Sequence, residues 1–165
     1  MFRRILVALD GTPVDRAVFT KAANLAKAMN AYFMILHILS VEDEGSPGST
    51  LGMTASEGQP SKTQLMSVYD EINWESYRRE WHQFEQESFK KFSLYSDRAN
   101  AMGIKTEFTQ VPGNPGQLIE KIAQNWDADL IVMGSRGHTG LRELVLGSVS
   151  NYVMHHAMSS VLIID

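Results

Sequence analysis

Four short, predominantly apolar runs constrain most strongly what this 165-residue chain can fold into. Each run has the length of a strand, and nearly continuous apolar runs are typical of strands buried on both faces of a parallel sheet. A fifth segment, 104–111, is interpreted as a strand because it follows a helix-ending glycine and precedes a Pro-Gly turn. After that turn, Asn114 is expected to cap a helix and Pro115 to start it. The predicted strands cover 5–9, 32–39, 104–111, 129–133 and 161–164.

Helical patterns separate these strands. Val18, Ala22, Leu25 and Met29 recur at helical spacing after Thr12, which we expect to cap that helix with Pro13 in its first turn. Asp15 is expected to act as the acid of a capping box. Strand–helix alternation along the whole chain predicts an open, doubly wound, parallel five-stranded sheet with helices on both faces. The chain is therefore predicted to be one α/β domain spanning 1–165.

Residues 41–66 differ from the rest, because glycine, proline, serine and threonine dominate them. Such a segment buries too little apolar surface to offset the entropy lost on ordering. We interpret it as a mobile surface insertion after the second strand.

A long helix is predicted from about residue 67 to 102, where Gly103 would end it. It carries one stripe of residues at helical spacing, interpreted as a face packed on the sheet rather than a cofactor site. The stripe consists of Trp74, Tyr77, Trp81, Phe84, Ser88, Phe92, Tyr95 and Ala99.

Composition excludes several functional classes. The chain has no cysteine, which excludes disulfides, thiolate metal sites and cysteine nucleophiles. The net charge is −4 and no stretch is dominated by lysine and arginine, so no nucleic-acid partner is predicted. The apolar run near the N-terminus is too short for a signal peptide, and no run approaches a membrane span. We therefore expect a cytoplasmic protein without a membrane partner.

The segment after the fourth strand points to phosphate binding. Gly134 and Gly137 follow that strand directly, and Gly147 with Ser148 opens a helix. Glycine allows backbone to approach a ligand closely, and the free amides and positive dipole end of a helix N-terminus favour anions. Ser148 and Ser150 are expected to add hydroxyl donors. Positive charge is available nearby on Arg136, His138 and Arg142.

Other interpretations stay open on spacing alone. The loop after the fourth strand is also compatible with a plain glycine-rich turn before a capped helix. Asp10 could equally be a simple acidic residue in a turn or an aspartate that accepts a phosphoryl group. His37, in an apolar strand, is interpreted as a core histidine with satisfied hydrogen bonds. Neither a Walker A loop, nor a dinucleotide G-x-G-x-x-G after the first strand, nor a G-x-S-x-G elbow occurs.

The spacing Gly134-x2-Gly137-x9-Gly147-Ser148 resembles the signature of the ATP-binding branch of the universal stress protein family. Further similar segments are 5–12, 36–38, 111–115 and 127–137, so the resemblance covers nearly the whole chain except 41–66. The family's fold, adenine nucleotide α-hydrolase-like, agrees with the predicted sheet.

The resemblance implies a role for each part of an ATP site. Asp10 would bind the ribose, Ala8 and Leu9 would line the adenine side, and Ile38 would contact the base through its backbone. Met133 and Gly134 would lie along the adenosine, with Mg²⁺ or Mn²⁺ bridging the phosphates. The phosphates would be held by Arg136, Gly137, Gly147, Ser148, Val149 and Ser150.

The resemblance also implies a homodimer through the last strand, with Val161 and Ile163 at the contact. The function predicted from the sequence is an ATP-binding regulator in the stress response that hydrolyses ATP very slowly or not at all. A slow ATPase or phosphotransferase using the same pocket is the alternative, with Asp10 or His138 as its reactive group. No catalytic residue and no protein ligand to a metal is predicted for the regulator.

Overall fold

The computed structural model describes residues 1–50, 73–135 and 146–165. The first range contains β1 (Arg4–Leu9), α1 (Asp15–Met29), β2 (Tyr32–Leu39) and a four-residue helix, α2 (Pro47–Thr50). The second contains α3 (Trp74–Ala101), β3 (Thr106–Pro112), α4 (Pro115–Asn125) and β4 (Leu130–Gly134). The third contains α5 (Ser148–His156) and β5 (Ser160–Ile164).

The five strands form one parallel sheet in the order β3-β2-β1-β4-β5. The predicted fold class is confirmed, and the predicted strand bounds agree with the observed ones to within two residues. In the register of the sheet, Ala8 lies opposite Leu36 and Leu9 lies opposite His37. β1 therefore ends beside His37 and β2 continues for two more residues, so the loops that leave the two strands are neighbours.

Each face of the sheet carries its own buried cluster, because side chains alternate along a strand. Ile5, Val7 and Leu9 contribute to the cluster beneath α1 and α3. Leu6, Leu36 and Ile131 contribute to the cluster beneath α4 and α5. Burial of each such side chain contributes about 1.5–3 kcal/mol, so the two clusters together fix the positions of the strand ends.

The helix ends follow local sequence signals in most cases. Asn30 ends α1 in the left-handed conformation, at φ 51°. The Asn114 side chain accepts a hydrogen bond from the N–H of Gln117 and caps α4, with Pro115 in the first turn as predicted. Gly103 follows α3 with φ +79°, which suits its predicted place after the helix end.

The predicted cap of α1 is wrong. The helix begins at Asp15, and its N-terminal neighbour Val14 provides no side-chain cap. The Thr12 hydroxyl instead donates to Asp10 Oδ1 at 2.7 Å. Thr12 therefore organises the end of β1, where Asp10 is placed, rather than the helix.

The stripe on α3 packs on the sheet in its C-terminal half. Ser88, Phe92 and Ala99 are buried, whereas Trp74 at the helix start is 45% exposed. The 28 residues of α3 extend about 42 Å, but the eight residues of β2 cover only about 26 Å, so one end of the helix projects beyond the sheet. The predicted start of this helix, 67–72, lies outside the described residues.

Candidate functional site

The order of the strands places a crevice at the carboxyl end of β1. From β1 the chain proceeds outward to β2 and β3 on one side, and β4 and β5 lie on the other. Loops that leave neighbouring strands in opposite directions open a crevice between them, which is where ligands bind in open parallel sheets. In this protein the diverging strands are β1 and β4.

A cleft occupies this position, and every predicted site residue within the described ranges lines it. These residues are Ala8, Leu9, Asp10, Ile38, Met133, Gly134, Gly147, Ser148, Val149 and Ser150. Arg136 and Gly137 lie outside the described residues, as do His138 and Arg142. The cleft thus brings together four segments that are far apart in the sequence.

Six further residues line the cleft and were missed by sequence reasoning: Leu36, Ser40, Glu42, Asp43, Pro115 and Ile119. Leu36 was accessible from the sequence, because it shares a strand face with Ile38 two residues later. Pro115 and Ile119 belong to α4, whose position over the cleft depends on tertiary packing.

One end of the cleft, beside β2, is apolar. Ala8, Leu36 and Ile38 lie on the sheet face that is covered by α4, and Ile119 of α4 belongs to the same buried cluster. Ala8 has the smallest side chain in this group, which leaves room between sheet and helix. A flat aromatic ring fits such a site by burying apolar surface on both of its faces.

A hydrogen-bonded turn after β2 forms a further wall of the cleft. Asp43 is only 7% exposed, and its Oδ2 accepts a hydrogen bond from the Ser40 N–H at 2.9 Å. The Ser46 hydroxyl donates to the Val41 carbonyl at 2.6 Å, and Ser46 itself is fully buried. Carboxylate and hydroxyl hydrogen bonds thus organise the start of the predicted insertion. The mobility of 41–66 stays a prediction, and 51–66 lie outside the described residues.

His37 of β2 contacts this turn through Asp43. Its ring is 2% exposed and stacks on Phe92 with 3.7 Å between ring centroids. Its Nδ1 lies 3.1 Å from Gln110 Oε1, and its Nε2 lies 3.8 Å from Asp43 Oδ2. His37 is thus a core histidine with polar partners, as predicted, and lines a neighbouring cavity instead of the cleft.

Asp10 lies at the middle of the cleft, at the end of β1. Its Oδ1 accepts hydrogen bonds from the N–H and the hydroxyl of Thr12, at 3.2 and 2.7 Å. The amides of Asp10 and Gly11 donate in turn to the two carboxyl oxygens of Asp15, at 3.2 and 2.8 Å. Gly11 has φ +86°, a conformation that side chains rarely adopt, so a glycine is needed at this corner.

Asp15 is an unusual carboxylate, since it is only 5% exposed. Burial and, after it, the charge of Asp10 together raise the pKa of Asp15 from 3.8 to about 7, although hydrogen bonds from the Gly11 and Asp10 amides act in the opposite direction. The sequence reasoning assigned Asp15 only to a helix cap. Its actual partners are the amides of the loop that presents Asp10.

The other end of the cleft, beside β4, is formed by the start of α5. The first amides of a helix have no partners within it, and those of Ser148 and Val149 donate to no group among the described residues. The positive end of the helix dipole lies at the same place. These features make this end of the cleft suitable for an anion.

Two predicted phosphate donors are engaged elsewhere in this structure. The Gly147 N–H donates to the Ser135 carbonyl at 2.8 Å. The Ser150 hydroxyl is buried and donates to the carbonyl oxygens of Ser135 and Gly147, each at 3.0 Å. These bonds close the base of the loop between β4 and α5, so Gly147 and Ser150 shape the site, while the exposed Ser148 faces solvent.

The charges along the cleft are therefore asymmetric. Asp10, Glu42 and Asp43 are placed around the ends of β1 and β2, whereas the amides of α5 lie beside β4. A ligand with a neutral ring at one end and negative charge at the other fits in one orientation.

Within the described part of the chain, no group of three or more histidine, aspartate or glutamate side chains is arranged to hold a metal ion. In the same ranges, no helix has the length and apolarity that crossing a membrane requires.

Comparison with known proteins identifies relatives along the whole chain. The model of the universal stress protein family matches residues 1–165. Universal stress protein Sll1388 of Synechocystis is 32% identical over 164 residues, which covers 99% of this chain and 98% of that protein. Universal stress protein YxiE of Bacillus subtilis is 30% identical and covers 99% of each chain.

Solved structures share the fold. The protein MJ0577 matches with a TM-score of 0.73 and 22% identity, over 99% of this chain and 96% of that one. A universal stress protein solved in complex with cAMP matches with a TM-score of 0.57 and 22% identity, over 99% and 96%. The universal stress protein of Archaeoglobus fulgidus in complex with dAMP matches with a TM-score of 0.54 and 19% identity, over 99% and 98%.

Proposed function

The chain belongs to the universal stress protein family, and on that premise we propose that it binds ATP in the cleft at the carboxyl edge of its sheet. The observation that carries the proposal is the cleft itself, which joins an apolar slot to an unpaired helix N-terminus through Asp10. Two proteins with the same fold have been solved with adenine nucleotides, cAMP and dAMP.

In the proposed complex the adenine lies in the apolar slot formed by Ala8, Leu36 and Ile38, next to the end of β2. The ribose hydroxyls donate to Asp10, and the adenosine passes Met133 and Gly134. The reverse orientation would bring phosphates close to Asp10, Glu42 and Asp43, where like charges repel.

The phosphates lie at the start of α5, where the amides of Ser148 and Val149 donate to their oxygens. The Ser148 hydroxyl adds a donor. Arg136 and Gly137, which lie outside the described residues, are proposed from the sequence as further phosphate-binding residues. Mg²⁺ or Mn²⁺ would enter with the nucleotide and offset its negative charge, because magnesium retains waters and takes phosphate oxygens as ligands. That arrangement requires no cluster of protein carboxylates.

We propose that the protein acts as a nucleotide-dependent regulator in the stress response and hydrolyses ATP very slowly or not at all. Among the described residues of the cleft, the carboxylates lie beside the proposed base and ribose, away from the phosphates. Asp10 and Asp43 also accept hydrogen bonds from the protein itself, so neither is placed to activate a water.

Substituting Gly147 tests the proposal. Its Cα borders the proposed phosphate position, so side chains of increasing size there should exclude the phosphates in steps. We expect Gly147→Ala to weaken Mg-ATP binding in calorimetry and Gly147→Val to abolish it, with adenosine binding much less affected. Lys121→Val, on the exposed side of α4, is the control. Equal ATP affinity in Gly147→Val and the unsubstituted protein would refute the proposed site.

The turnover rate and the identity of the bound nucleotide distinguish the proposed regulator from a slow enzyme, and both can be measured on the same protein preparation. We expect turnover of Mg-ATP far below the roughly 1–1000 per second that is typical of enzymes. Nucleotide that is released on denaturation should be ATP rather than ADP. Sustained turnover that is lost in Asp10→Ala would favour the ATPase or phosphotransferase instead.

A further inference from the structure

Asp15 and Asp10 form a pair of carboxyl groups at the corner between β1 and α1. The two groups are in hydrogen-bond contact, and both Asp15 oxygens accept amide hydrogens from the loop that carries Asp10. Asp10 lines the cleft, whereas Asp15 is buried one layer behind it. Asp15 is thus the side chain that holds Asp10 in place.

The other groups near this pair come from α1 and α3. Tyr95 of α3 interacts electrostatically with Asp15: burial and the charge of Asp15 both raise the pKa of the tyrosine hydroxyl. Arg16 and Arg98 lower the pKa of Tyr95, so they are also within electrostatic reach. The Lys91 ammonium lies close to Gly11, 3.4 Å from where a Cβ would stand on that glycine. Asp10 is the charged group with the largest effect on Asp15.

We propose that Asp15 positions Asp10 and takes up a proton from solvent when a polyphosphate nucleotide binds, so that nucleotide binding is coupled to pH. This inference rests on the proposed nucleotide site. The protonated Asp15 hydroxyl donates to the Asp10 carboxylate, which leaves Asp10 ionised to accept the ribose hydroxyls. Ionised Asp15 instead places two negative charges side by side.

Two effects of the nucleotide favour protonation. The phosphates add negative charge to the cleft, and the nucleoside displaces water from around Asp10. Both disfavour a second ionised carboxylate in the same corner. Burial and Asp10 already raise the pKa of Asp15 to about 7 in the free protein, so near neutral pH a fraction of the molecules must gain a proton.

Calorimetry in buffers of different ionisation enthalpy measures this proton. At pH 7 with excess Mg²⁺ and ATP, we expect uptake of about half a proton per nucleotide, because a group with a pKa near 7 is half protonated beforehand. If binding raises that pKa by one unit, ATP affinity should fall about sevenfold between pH 6 and 8.5.

Asp15→Asn removes the ionisable group, and Asp97→Asn, an exposed aspartate on α3, is the matched control. We expect Asp15→Asn to bind ATP without proton uptake and with affinity independent of pH over this range. Asp97→Asn should retain both the uptake and the pH dependence. Uptake that persists unchanged in Asp15→Asn would overturn the inference.

Carbon-13 NMR of the Asp15 carboxyl in the unsubstituted protein gives a second test that does not depend on the variant folding. Its titration midpoint should rise when Mg-ATP is added. An unchanged or lowered midpoint, with ATP demonstrably bound, would overturn this inference and leave the proposed function intact. Absence of any ATP binding would refute the proposed function itself.

Discussion

The Ser150 hydroxyl donates to the carbonyl oxygen of Ser135 at 3.0 Å, joining residues that are fifteen positions apart in the sequence. Ser135 directly follows β4, and Ser150 lies in the first turn of α5. The bond therefore links the strand end to the helix whose amides we propose as phosphate donors. A second bond, from the Gly147 N–H to the same carbonyl, reinforces this link.

Removing this hydroxyl should weaken nucleotide binding without contact to the nucleotide. We expect Ser150→Ala to lower the free energy of unfolding by about 1 kcal/mol, the typical net contribution of one such bond. ATP affinity should fall about three- to tenfold, since the loop ends lose a constraint. Denaturant unfolding and calorimetry measure the two effects. Ser93→Ala, which removes a comparable hydroxyl-to-backbone bond on α3, should change stability slightly and affinity not at all.

Asp10 should discriminate between nucleotides by their ribose. We expect Asp10→Ala to weaken ATP binding roughly tenfold to hundredfold, because a hydrogen bond to a charged group contributes about 1.5–3 kcal/mol. Binding of 2′,3′-dideoxy-ATP, which lacks the hydroxyl donors, should change far less. Competition measurements with both ligands test this. Equal losses for the two nucleotides would show that Asp10 does not bind the ribose.

Asp15 should make stability depend on pH. The pKa of Asp15 is about 7 in the folded protein and 3.8 in an unfolded chain, so the folded state binds the proton more tightly. Its favourable contribution is therefore complete below pH 4 and is lost as pH rises to 7 and above. In Asp15→Asn this loss disappears. The stability of the variant relative to the unsubstituted protein should rise between pH 4 and 8 by up to about 4 kcal/mol.

Urea unfolding at several pH values measures this difference. A constant offset between the two proteins is compatible with the prediction, because an asparagine accepts the two loop amides less well than a carboxyl group does. A difference that stays flat from pH 4 to 8 would contradict it. Asp97→Asn should follow the unsubstituted protein throughout.

The last strand should control assembly. We propose a homodimer through β5, which is an edge strand of the sheet and carries the exposed Leu162. Val161 and Ile163 are half-buried and pack against the cluster beneath α4 and α5, so Leu162 is the more suitable position to change. Leu162→Lys should give a monomer in light scattering, whereas Leu94→Lys, at an exposed position on α3, should remain dimeric. A monomeric unsubstituted protein would refute this interface.

Fold prediction succeeded where local sequence carried the signal. The apolar run at Tyr32–Leu39 coincides with β2, because strands buried on both faces are nearly continuous in apolar residues. His37 interrupts the run without ending the strand, since its buried ring has a polar partner in Gln110. Asn114 and Pro115 identified the start of α4 for an equally local reason, since cap and first turn are adjacent in the chain. The Thr12 prediction was wrong because its hydroxyl donates to Asp10 Oδ1 instead of accepting a hydrogen bond from an N–H of the helix start.

The sequence by itself determined the alternation of strands and helices, the parallel sheet and the residues at the ends of β1 and β4, because burial patterns and turn residues act over short distances. Only the tertiary structure decided that Pro115 and Ile119 cover the cleft, that Asp43 is buried in a hydrogen-bonded wall, and that Ser150 is bonded to Ser135. These three depend on which distant segments meet. Side-chain hydrogen bonds between such segments leave no periodic pattern in a sequence.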